Sequence, residues 1–330
     1  MKKTASFFYQ TVSLFVIGYC CISLVKWFIV DATWLGDSPS QCQPHGYCWI
    51  YVSQHLMLLI FGFYPIDQVW RVVLFFVLMA LFSLAAVLVR NRSCKPLLQW
   101  LLWIQPTVAL WYLVGGWLGL EVVDTSKWGG LFLSVWLTSF CFSWGLVLGL
   151  VFAIMRQSKI ILVSILATAL VEVIRSLPLI LVLFVSTYWH PLGEFMVGEL
   201  NRLSVVSIAL TVFAAVYLSE VFRAGLSAFP NNEILISKSI GLTGSQQLWL
   251  VKLPQITQQM MPSFVNILIG LFKDTTLVVF VGLFDLLAMI DITTHSAKWL
   301  SSTIDAIIFV MLVYWLVCYL ASRLSESLKQ

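Results

Sequence analysis

The apolar residues of this chain fall in long runs that short polar stretches separate. A helix that crosses a bilayer needs roughly 20 mostly apolar residues, and runs of that length recur along the whole sequence. They predict eight membrane-spanning helices, at residues 7–30, 69–89, 97–118, 129–155, 160–189, 203–228, 262–281 and 303–321. The fold class expected from this pattern is an all-α membrane protein.

Composition supports this interpretation. Hydrophobic residues make up 60% of the 330 positions and charged residues only 10%, whereas soluble domains carry roughly 25% charged residues. A soluble protein of this length could not cover its surface with so few charges. We therefore expect lipid to contact most of the surface.

The distribution of lysine and arginine predicts the orientation. Eight spans place both ends of the chain on one side of the membrane. If that side is the cytoplasm, twelve of the 19 basic residues lie inside, five lie outside and two, Arg175 and Lys273, lie at membrane depth. The excess of positive charge on the inner side predicts cytoplasmic amino and carboxyl ends.

The sequence divides near residue 128. Residues 1–128 are expected to form an amino-terminal extension of three spans, with a periplasmic loop at residues 31–68. Residues 129–326 are expected to form a core of five spans. Because no glycine-rich loop with Lys-Ser or Lys-Thr occurs, we expect no nucleotide site in this chain.

The longest inner loop lies between the sixth and seventh predicted spans. Pro230 should end the incoming span, and Asn231 or Asn232 could cap a short helix after it. Glu233 would then lie near the positive end of that helix. Ile236 and Ile240 are four residues apart and share a face.

The same loop carries stop and start signals. Gly241 suits a left-handed helix stop, and Thr243 with Gln246 forms a capping-box pattern for a second helix. Two interpretations of this apolar-faced helix remain open. It could cover the inner end of the bundle, or it could dock a partner protein.

Several ordered motifs resemble the EAA-type coupling loop of polar amino-acid ABC importer permeases. The matching loop residues are Glu220, Arg223, Gly225, Pro230, Gly241, Leu242, Leu253 and Pro254. The resemblance continues at 172–179, 262–266, 272–277 and 281–287, and covers residues 129–326. The family usually has Glu-Ala-Ala where this chain has Leu235, Ile236 and Ser237, so Glu233 is the nearest acidic residue.

The amino-terminal third resembles the M-type subunit of general L-amino-acid permeases, through residues 46–49, 61–65 and 70–71. The resemblance implies an inner-membrane permease subunit that moves L-amino acids into a bacterial cytoplasm. The implied partners are a second, Q-type permease, two ATPase subunits that bind ATP and Mg²⁺, and a periplasmic amino-acid-binding protein. No cofactor is expected in this chain, and no nucleic acid.

Four charged residues are predicted within the apolar runs. A charge at the centre of a span costs about 2.5–3.5 kcal/mol on insertion scales, so such residues are candidates for function. Glu172 and Arg175 are three residues apart and could neutralise each other, while Pro178 should break the helix beside Arg175. Lys273 and Asp274 point about 100° apart on a helix and need partners elsewhere. A substrate pathway and helix–helix pairing both remain open for these residues.

Cys42 and Cys48 lie in the long outer loop. The oxidising side of the membrane favours a disulfide between them. His45 lies between the two cysteines, but two Cys and one His leave a structural zinc one ligand short. We therefore expect no metal site.

An ion-coupled secondary transporter of amino acids is the alternative function. Such a transporter should show matching halves with two interrupted helices, and no clear internal repeat occurs. An intramembrane enzyme is less consistent with the sequence, because it contains neither Gly-x-Ser-x-Gly nor His-Glu-x-x-His.

Overall fold

A computed structural model describes residues 2–43, 45–88, 95–117, 119–188, 201–296 and 298–328. These residues form twelve α-helices of nine residues or more. They are α1 (Lys2–Val25), α2 (Trp49–Phe61), α3 (Val69–Leu88), α4 (Lys95–Val114), α5 (Gly130–Arg156), α6 (Ile161–Ser176), α7 (Leu179–Tyr188), α8 (Arg202–Ser227), α9 (Asn231–Ser239), α10 (Leu253–Asp274), α11 (Leu286–Thr294) and α12 (Thr303–Leu328).

Irregular helical turns extend three of these helices. A π-helix at Lys26–Val30 continues α1, and another at Gln247–Lys252 leads into α10. A 3₁₀-helix at Ile66–Gln68 precedes α3, and a second at Thr275–Val281 continues α10.

Within the described residues, six helical segments are long and apolar enough to cross a membrane. They are Ser13–Val30, Ile66–Ala85, Gly130–Arg156, Arg202–Ser227, Gly244–Val281 and Leu300–Glu326. The pair α6–α7 makes a seventh if it is one broken span. An all-α membrane protein is therefore confirmed, whereas the count of eight and the orientation stay predictions.

The remaining predicted span, 97–118, corresponds to α4. Only Leu101–Val114 of this helix forms a described apolar segment, and Pro106 lies inside the helix. The last residues of three predicted spans, Val89, Leu118 and Trp189, lie outside the described residues.

A sharp bend divides the predicted span 160–189. Helix α6 ends at Ser176, Leu177 is extended, and α7 begins at Leu179 after a bend of 105°. Proline disfavours the helical conformation at the residue before it, and the extended Leu177 shows that effect at Pro178, which accounts for the break that the sequence predicts.

Helices α5 and α8 form the centre of the bundle. They make the most extensive helix–helix contact in the molecule. A Cβ at Gly149 would lie 2.9 Å from the Ala215 carbonyl oxygen, and one at Gly145 would lie 3.1 Å from the Ala214 Cβ. Small residues allow this approach in the way that is common between membrane helices.

A seam of glycines joins the end of α2 to the start of α5 and to the turn before α11. Gly62 follows α2 and bridges to Trp128, while Gly129 and Gly130 bridge to Phe284 and Asp285. A Cβ at Gly62 would lie 2.5 Å from the Gly129 Cα. This glycine seam leaves no room for side chains.

Helix α2 lies in the predicted outer loop 31–68, where the sequence analysis placed no helix. Ile50, Tyr51, Val52 and Leu59 are buried, and the Tyr51 hydroxyl hydrogen-bonds the Thr293 hydroxyl. Its 13 residues are too short to cross a bilayer, so α2 is a packing helix against α5, α11 and α12.

The loop before α2 packs on α12. Cys42 and Cys48 form a disulfide with a Cα–Cα distance of 5.5 Å. The Tyr47 hydroxyl donates to the Asp305 carbonyl oxygen at 2.8 Å. Burial, first of all, raises the pKa of Tyr47, so this phenol stays neutral and acts as a donor.

Candidate coupling loop and charged sites

The predicted coupling loop links α8 to α10 through α9. Helix α9 begins at Asn231, directly after Pro230, and no side chain caps it. The expected cap by Asn231 or Asn232 is therefore wrong, because Pro230 itself occupies the extended cap position. Glu233 lies in the first helical turn, as expected, and its Oε2 accepts from Gln255 Nε2 in α10 at 2.8 Å.

The stop and restart of this loop follow the sequence signals. Gly241 has φ of +85°, the left-handed conformation that glycine permits. The Thr243 side chain and Gln246 form the reciprocal capping box, with Thr243 N donating to Gln246 Oε1 at 2.9 Å. Gly241 ends α9, and the capping box starts the next helical turn. Local backbone geometry therefore sets the direction in which the chain leaves α9.

Two contacts close the base of the loop. A Cβ at Gly225 would overlap the Ile256 side chain, so only glycine lets α8 and α10 approach here. Leu253 is buried at the start of α10, and Pro254 lies in the first turn of that helix.

Helix α9 presents an apolar patch outward. Ser237 is buried, whereas Leu235, Ile236 and Ile240 are 62%, 62% and 71% exposed. Trp249 and Leu250, in the following π-helix, are also exposed, and the sequence analysis did not single them out. A helix that served only to cover the bundle would turn these side chains inward, so docking of a partner fits better.

Glu220 is the centre of a charged cluster at the coupling-loop end of α5, α6 and α8. Glu220 Oε1 lies 2.6 Å from Arg156 Nη1 and 3.0 Å from Arg175 Nη1. Glu220 Oε2 lies 2.8 Å from Arg223 Nη2. One carboxylate therefore accepts from three guanidinium groups.

Glu172 completes this cluster. Its Oε1 lies 3.6 Å from Arg175 Nη1 and 3.5 Å from Arg156 Nη2. The predicted Glu172–Arg175 contact is present but long, and Glu220 is the closer partner of Arg175. Because Arg156 is the last residue of α5, Arg175 lies nearer the coupling-loop end than the expected middle of the membrane.

Arg156 was not a candidate in the sequence analysis. Its side chain is only 8% exposed and joins two glutamates that lie 16 and 64 residues away in sequence. The one feature of the sequence that could have identified Arg156 is its position, since it is a charged residue at the end of an apolar run.

Lys273 and Asp274 end α10. Lys273 is exposed and Asp274 is half-buried. Among the described residues, neither side chain has an ion-pair partner. The 3₁₀-helix that follows changes the helical repeat directly after these two charges. They do not meet Arg175, so the structure does not bring the predicted pathway charges together in one cluster.

Asp285 is a buried carboxylate that sequence reasoning treated only as part of a motif. Its Oδ1 accepts from the Ala288 backbone at 2.9 Å and caps α11, while Oδ2 accepts from the Tyr314 hydroxyl at 3.1 Å. Burial raises the pKa of Asp285, and the hydrogen bonds from the backbone act in the opposite direction. Asp285 thus fixes α11 against α12.

Asp124, in the loop between α4 and α5, is a carboxylate whose pKa shifts in the opposite direction. Its side chain accepts from the Ser126 backbone at 2.9 Å. This hydrogen bond, first of all, lowers the pKa of Asp124. In the part of the chain that the structure describes, no group of three or more His, Cys, Asp or Glu could hold a metal.

Comparison with known proteins places these features in a family. Residues 145–328 match the sequence model described as "binding-protein-dependent transport system inner membrane component". The inner membrane amino-acid ABC transporter permease protein YhdY of Escherichia coli (strain K12) is 33% identical over 309 residues, which cover 93% of this chain and 84% of the relative.

Two further proteins extend the comparison. The glutamate/glutamine/aspartate/asparagine transport system permease protein BztC of Rhodobacter capsulatus is 29% identical, covering 92% of this chain and 85% of the relative. A chain from the crystal structure of an amino acid ABC transporter with histidines aligns with a TM-score of 0.52 at 24% identity. The aligned region covers 61% of this chain and 91% of that one, and it supports the fold of the core.

Proposed function

Because this chain belongs to the family of binding-protein-dependent transport system inner membrane components, we propose that it is the permease subunit of an ATP-driven importer of L-amino acids. It is a multi-pass membrane protein. The proposed direction of transport is into a bacterial cytoplasm across the inner membrane.

The relatives support amino acids as the substrate class. Both YhdY and BztC are named for transport of amino acids, and each matches more than nine-tenths of this chain. An ion-coupled secondary transporter has no comparable support among these similarities.

The exposed patch of α9 is the observation that carries the proposed mechanism. Leu235, Ile236 and Ile240 are exposed on α9 and directly after it. Gly241 and the Thr243–Gln246 capping box set the direction of the chain after this helix. We assign this patch to the groove of a separate ATPase subunit, which would bind ATP and Mg²⁺. Glu233 is bound to Gln255, so apolar contact rather than an acidic pair would dominate this docking.

The proposed complex contains two ATPase subunits, a second permease of Q type and a periplasmic amino-acid-binding protein. Helix α6 carries an extensive exposed apolar face, which lipid or the second permease would cover. Ile161, Leu162, Ile165 and Leu166 are all more than half exposed, and only Ala167 and Val171 of this helix are buried.

Two sets of charges line the proposed substrate path. Lys273 and Asp274 have no ion-pair partner within the described residues, and are free to meet the carboxylate and the ammonium of an amino acid. Arg175 and Glu172 are already paired near Glu220. A substrate would displace Arg175 from Glu220 before binding it bidentately.

The proposed topology has eight spans with cytoplasmic amino and carboxyl ends. Residues 1–128 form the three-span extension, with the periplasmic loop 31–68, and residues 129–326 form the permease core. The family match at 145–328 supports the position of this core.

ATP hydrolysis by the purified complex tests the proposed function. The permeases and ATPase are reconstituted in liposomes and assayed with and without binding protein and amino acid. We expect hydrolysis to rise, and labelled amino acid to accumulate, only when liganded binding protein is present outside. Uptake driven by an ion gradient without ATP would identify a secondary transporter instead.

A further inference from the structure

A cavity of about 530 Å³ opens at the end of α8 opposite the coupling loop. Its wall includes Phe184, Thr187 and Tyr188 of α7, Arg202 of α8, and Phe280 and Gly282 after α10. The volume falls within the roughly 300–1,000 Å³ that is typical of small-molecule sites. No predicted site residue lines this cavity.

Arg202 supplies the charge of this cavity. It is the only charged residue among the described residues of the wall. Asn201 caps the same end of α8 by accepting from the Ser204 backbone at 2.8 Å. The cap satisfies one of the free backbone donors there, and the guanidinium of Arg202 is the cationic donor that the described wall offers to an anionic ligand.

Gly282 positions this guanidinium. Its φ is +81°, and a Cβ in its place would overlap Arg202 Nη1 and lie 3.3 Å from Arg202 Cζ. Glycine thus lets the Arg202 side chain cross from α8 to the turn after the 3₁₀-helix Thr275–Val281. That 3₁₀-helix begins directly after Asp274, so the cavity and the Lys273–Asp274 pair lie at the two ends of one short segment.

The remaining wall suits the rest of a zwitterion. The Thr187 hydroxyl donates to the Leu183 and Phe184 carbonyl oxygens, which leaves its oxygen able to accept from an ammonium group. Phe184 and Phe280 supply aromatic surface for an apolar side chain or for a cation.

We propose that this cavity is an outer acceptor site, where Arg202 receives the α-carboxylate of an amino acid before it reaches Lys273 and Asp274. The assignment rests on the proposed function. It adds a site on the opposite side of the molecule from the coupling loop, and it gives Arg202 a role as a substrate-binding residue. A lipid phosphate offers the same anionic oxygens and is the other possible occupant.

The first measurement tests whether the cavity is positively charged, and it does not depend on transport. Thr187→Cys is made in a background that lacks the free cysteines and keeps the Cys42–Cys48 disulfide. Its rates with anionic and cationic methanethiosulfonate reagents are each divided by the rate for a free thiol in solution. We expect the anionic reagent to be favoured over the cationic one by about 25-fold, because one positive charge near 4 Å in water speeds the anion about fivefold and slows the cation by the same factor. Arg202→Gln should abolish this preference.

The second measurement reads uptake in liposomes that contain the whole complex. Arg202→Gln should lower uptake at least about tenfold, which corresponds to loss of one charge-assisted hydrogen bond, and Arg202→Lys should restore part of it. Lys298→Gln is the matched control. Lys298 lies outside the cavity, where its Nζ donates to the Asp37 carbonyl oxygen, and its replacement should leave uptake unchanged.

The outcomes separate this site from the proposed function. ATP hydrolysis stimulated by liganded binding protein should persist in Arg202→Gln, and its absence in the wild type would contradict the proposed function itself. Wild-type uptake by Arg202→Gln overturns the acceptor site, and is the result expected if only a lipid phosphate binds there. An unchanged reagent preference in Arg202→Gln, or an equal loss of uptake in Lys298→Gln, also overturns it.

Discussion

Arg175 Nη1 lies 3.0 Å from Glu220 Oε1, and this contact joins two parts of the molecule that differ in role. Arg175 precedes the break between α6 and α7 by two residues, while Glu220 lies on the helix that leads into the coupling loop. A displacement of α9 by the ATPase would therefore reach the broken helix through the Glu220 cluster, directly at Arg175 and through Arg156 at Glu172.

Glu220→Gln should destabilise the protein. Arg156, which is only 8% exposed, would lose its 2.6 Å ion pair with Glu220, and the 3.5 Å contact to Glu172 would be its remaining ion pair among the described residues. Hydrogen bonds to charged groups contribute about 1.5–3 kcal/mol each, so we expect a loss of that order in the free energy of unfolding, measured in detergent. Glu326→Gln is the control, since Glu326 pairs with Arg323 on an exposed surface, and its replacement should leave the melting temperature unchanged. Equal melting temperatures for both variants would contradict the central role of Glu220.

Gly241→Asp should release the ATPase while the protein still inserts in the membrane. The substitution forces an unfavourable backbone conformation at φ +85° and places a carboxylate beside the exposed Ile240. The measurement is the amount of ATPase that co-purifies with the tagged permease, together with uptake.

Gly244→Asp is the matched control for Gly241→Asp. A Cβ at either glycine meets nothing within 4 Å, but Gly244 has no positive φ and starts a helical turn, where an acidic residue is favoured. This variant should keep the ATPase. Wild-type stoichiometry and transport in Gly241→Asp would argue against the coupling loop.

Lys273→Met and Asp274→Asn should abolish uptake without preventing assembly. Neither side chain has an ion-pair partner among the described residues, so its loss breaks no such contact. Arg175→Lys should also impair uptake, because lysine cannot bind a carboxylate through two parallel donors. The variants are compared after purification as complete complexes and reconstitution in liposomes. If all three instead fail to assemble, these charges act as contacts between helices, and wild-type uptake by all three would end the pathway hypothesis.

The orientation can be tested by labelling from one side. In the background that keeps only Cys42 and Cys48, Ser158→Cys and Ser301→Cys should react from opposite faces of sealed vesicles. Ser158 follows α5, and Ser301 lies in the 3₁₀ turn at the start of the candidate span Leu300–Glu326, so both lie at the ends of the helices that they flank. Labelling of both cysteines by an impermeant reagent from the outside would rule out the eight-span topology.

The Cys42–Cys48 disulfide should stabilise the outer loop. The bridge closes a short loop of six positions in sequence, and the chain-entropy estimate for such a loop is about 2 kcal/mol. A reducing agent should therefore lower the melting temperature of the wild type. The double variant with serine at both positions should start lower and should not respond to the reductant. The same shift in both proteins would mean that the reductant acts elsewhere.

Local sequence signals predicted much of the fold. The apolar runs, the break at Pro178, the left-handed Gly241 and the Thr243–Gln246 capping box each depend on residues within a few positions of one another. The prediction that Asn231 or Asn232 caps α9 was wrong for an equally local reason. Asn231 is the first helical residue, whereas a cap must be the residue before the helix.

Long-range features escaped the sequence analysis. The i,i+3 pairs Glu172–Arg175 and Glu220–Arg223 could be foreseen from spacing, but Glu220 also binds Arg156, which is 64 residues away. Helix α2 escaped because its 13 residues are shorter than a span and gain their order from contact with α5, α11 and α12. Nothing in the sequence showed that Arg202 and Gly282 would meet.

The packing of α2 has a consequence for synthesis. Its hydrogen bond from Tyr51 to Thr293 joins residues 242 positions apart, and the glycine seam similarly requires Phe284. At about 5–20 residues per second, translation takes roughly 10–50 s to supply these partners after α2 has emerged. During that interval α2 can pack on α5, but its contacts with α11 and α12 cannot form. The packing of α2 is therefore completed only near the end of synthesis, although the ribosome makes this helix early.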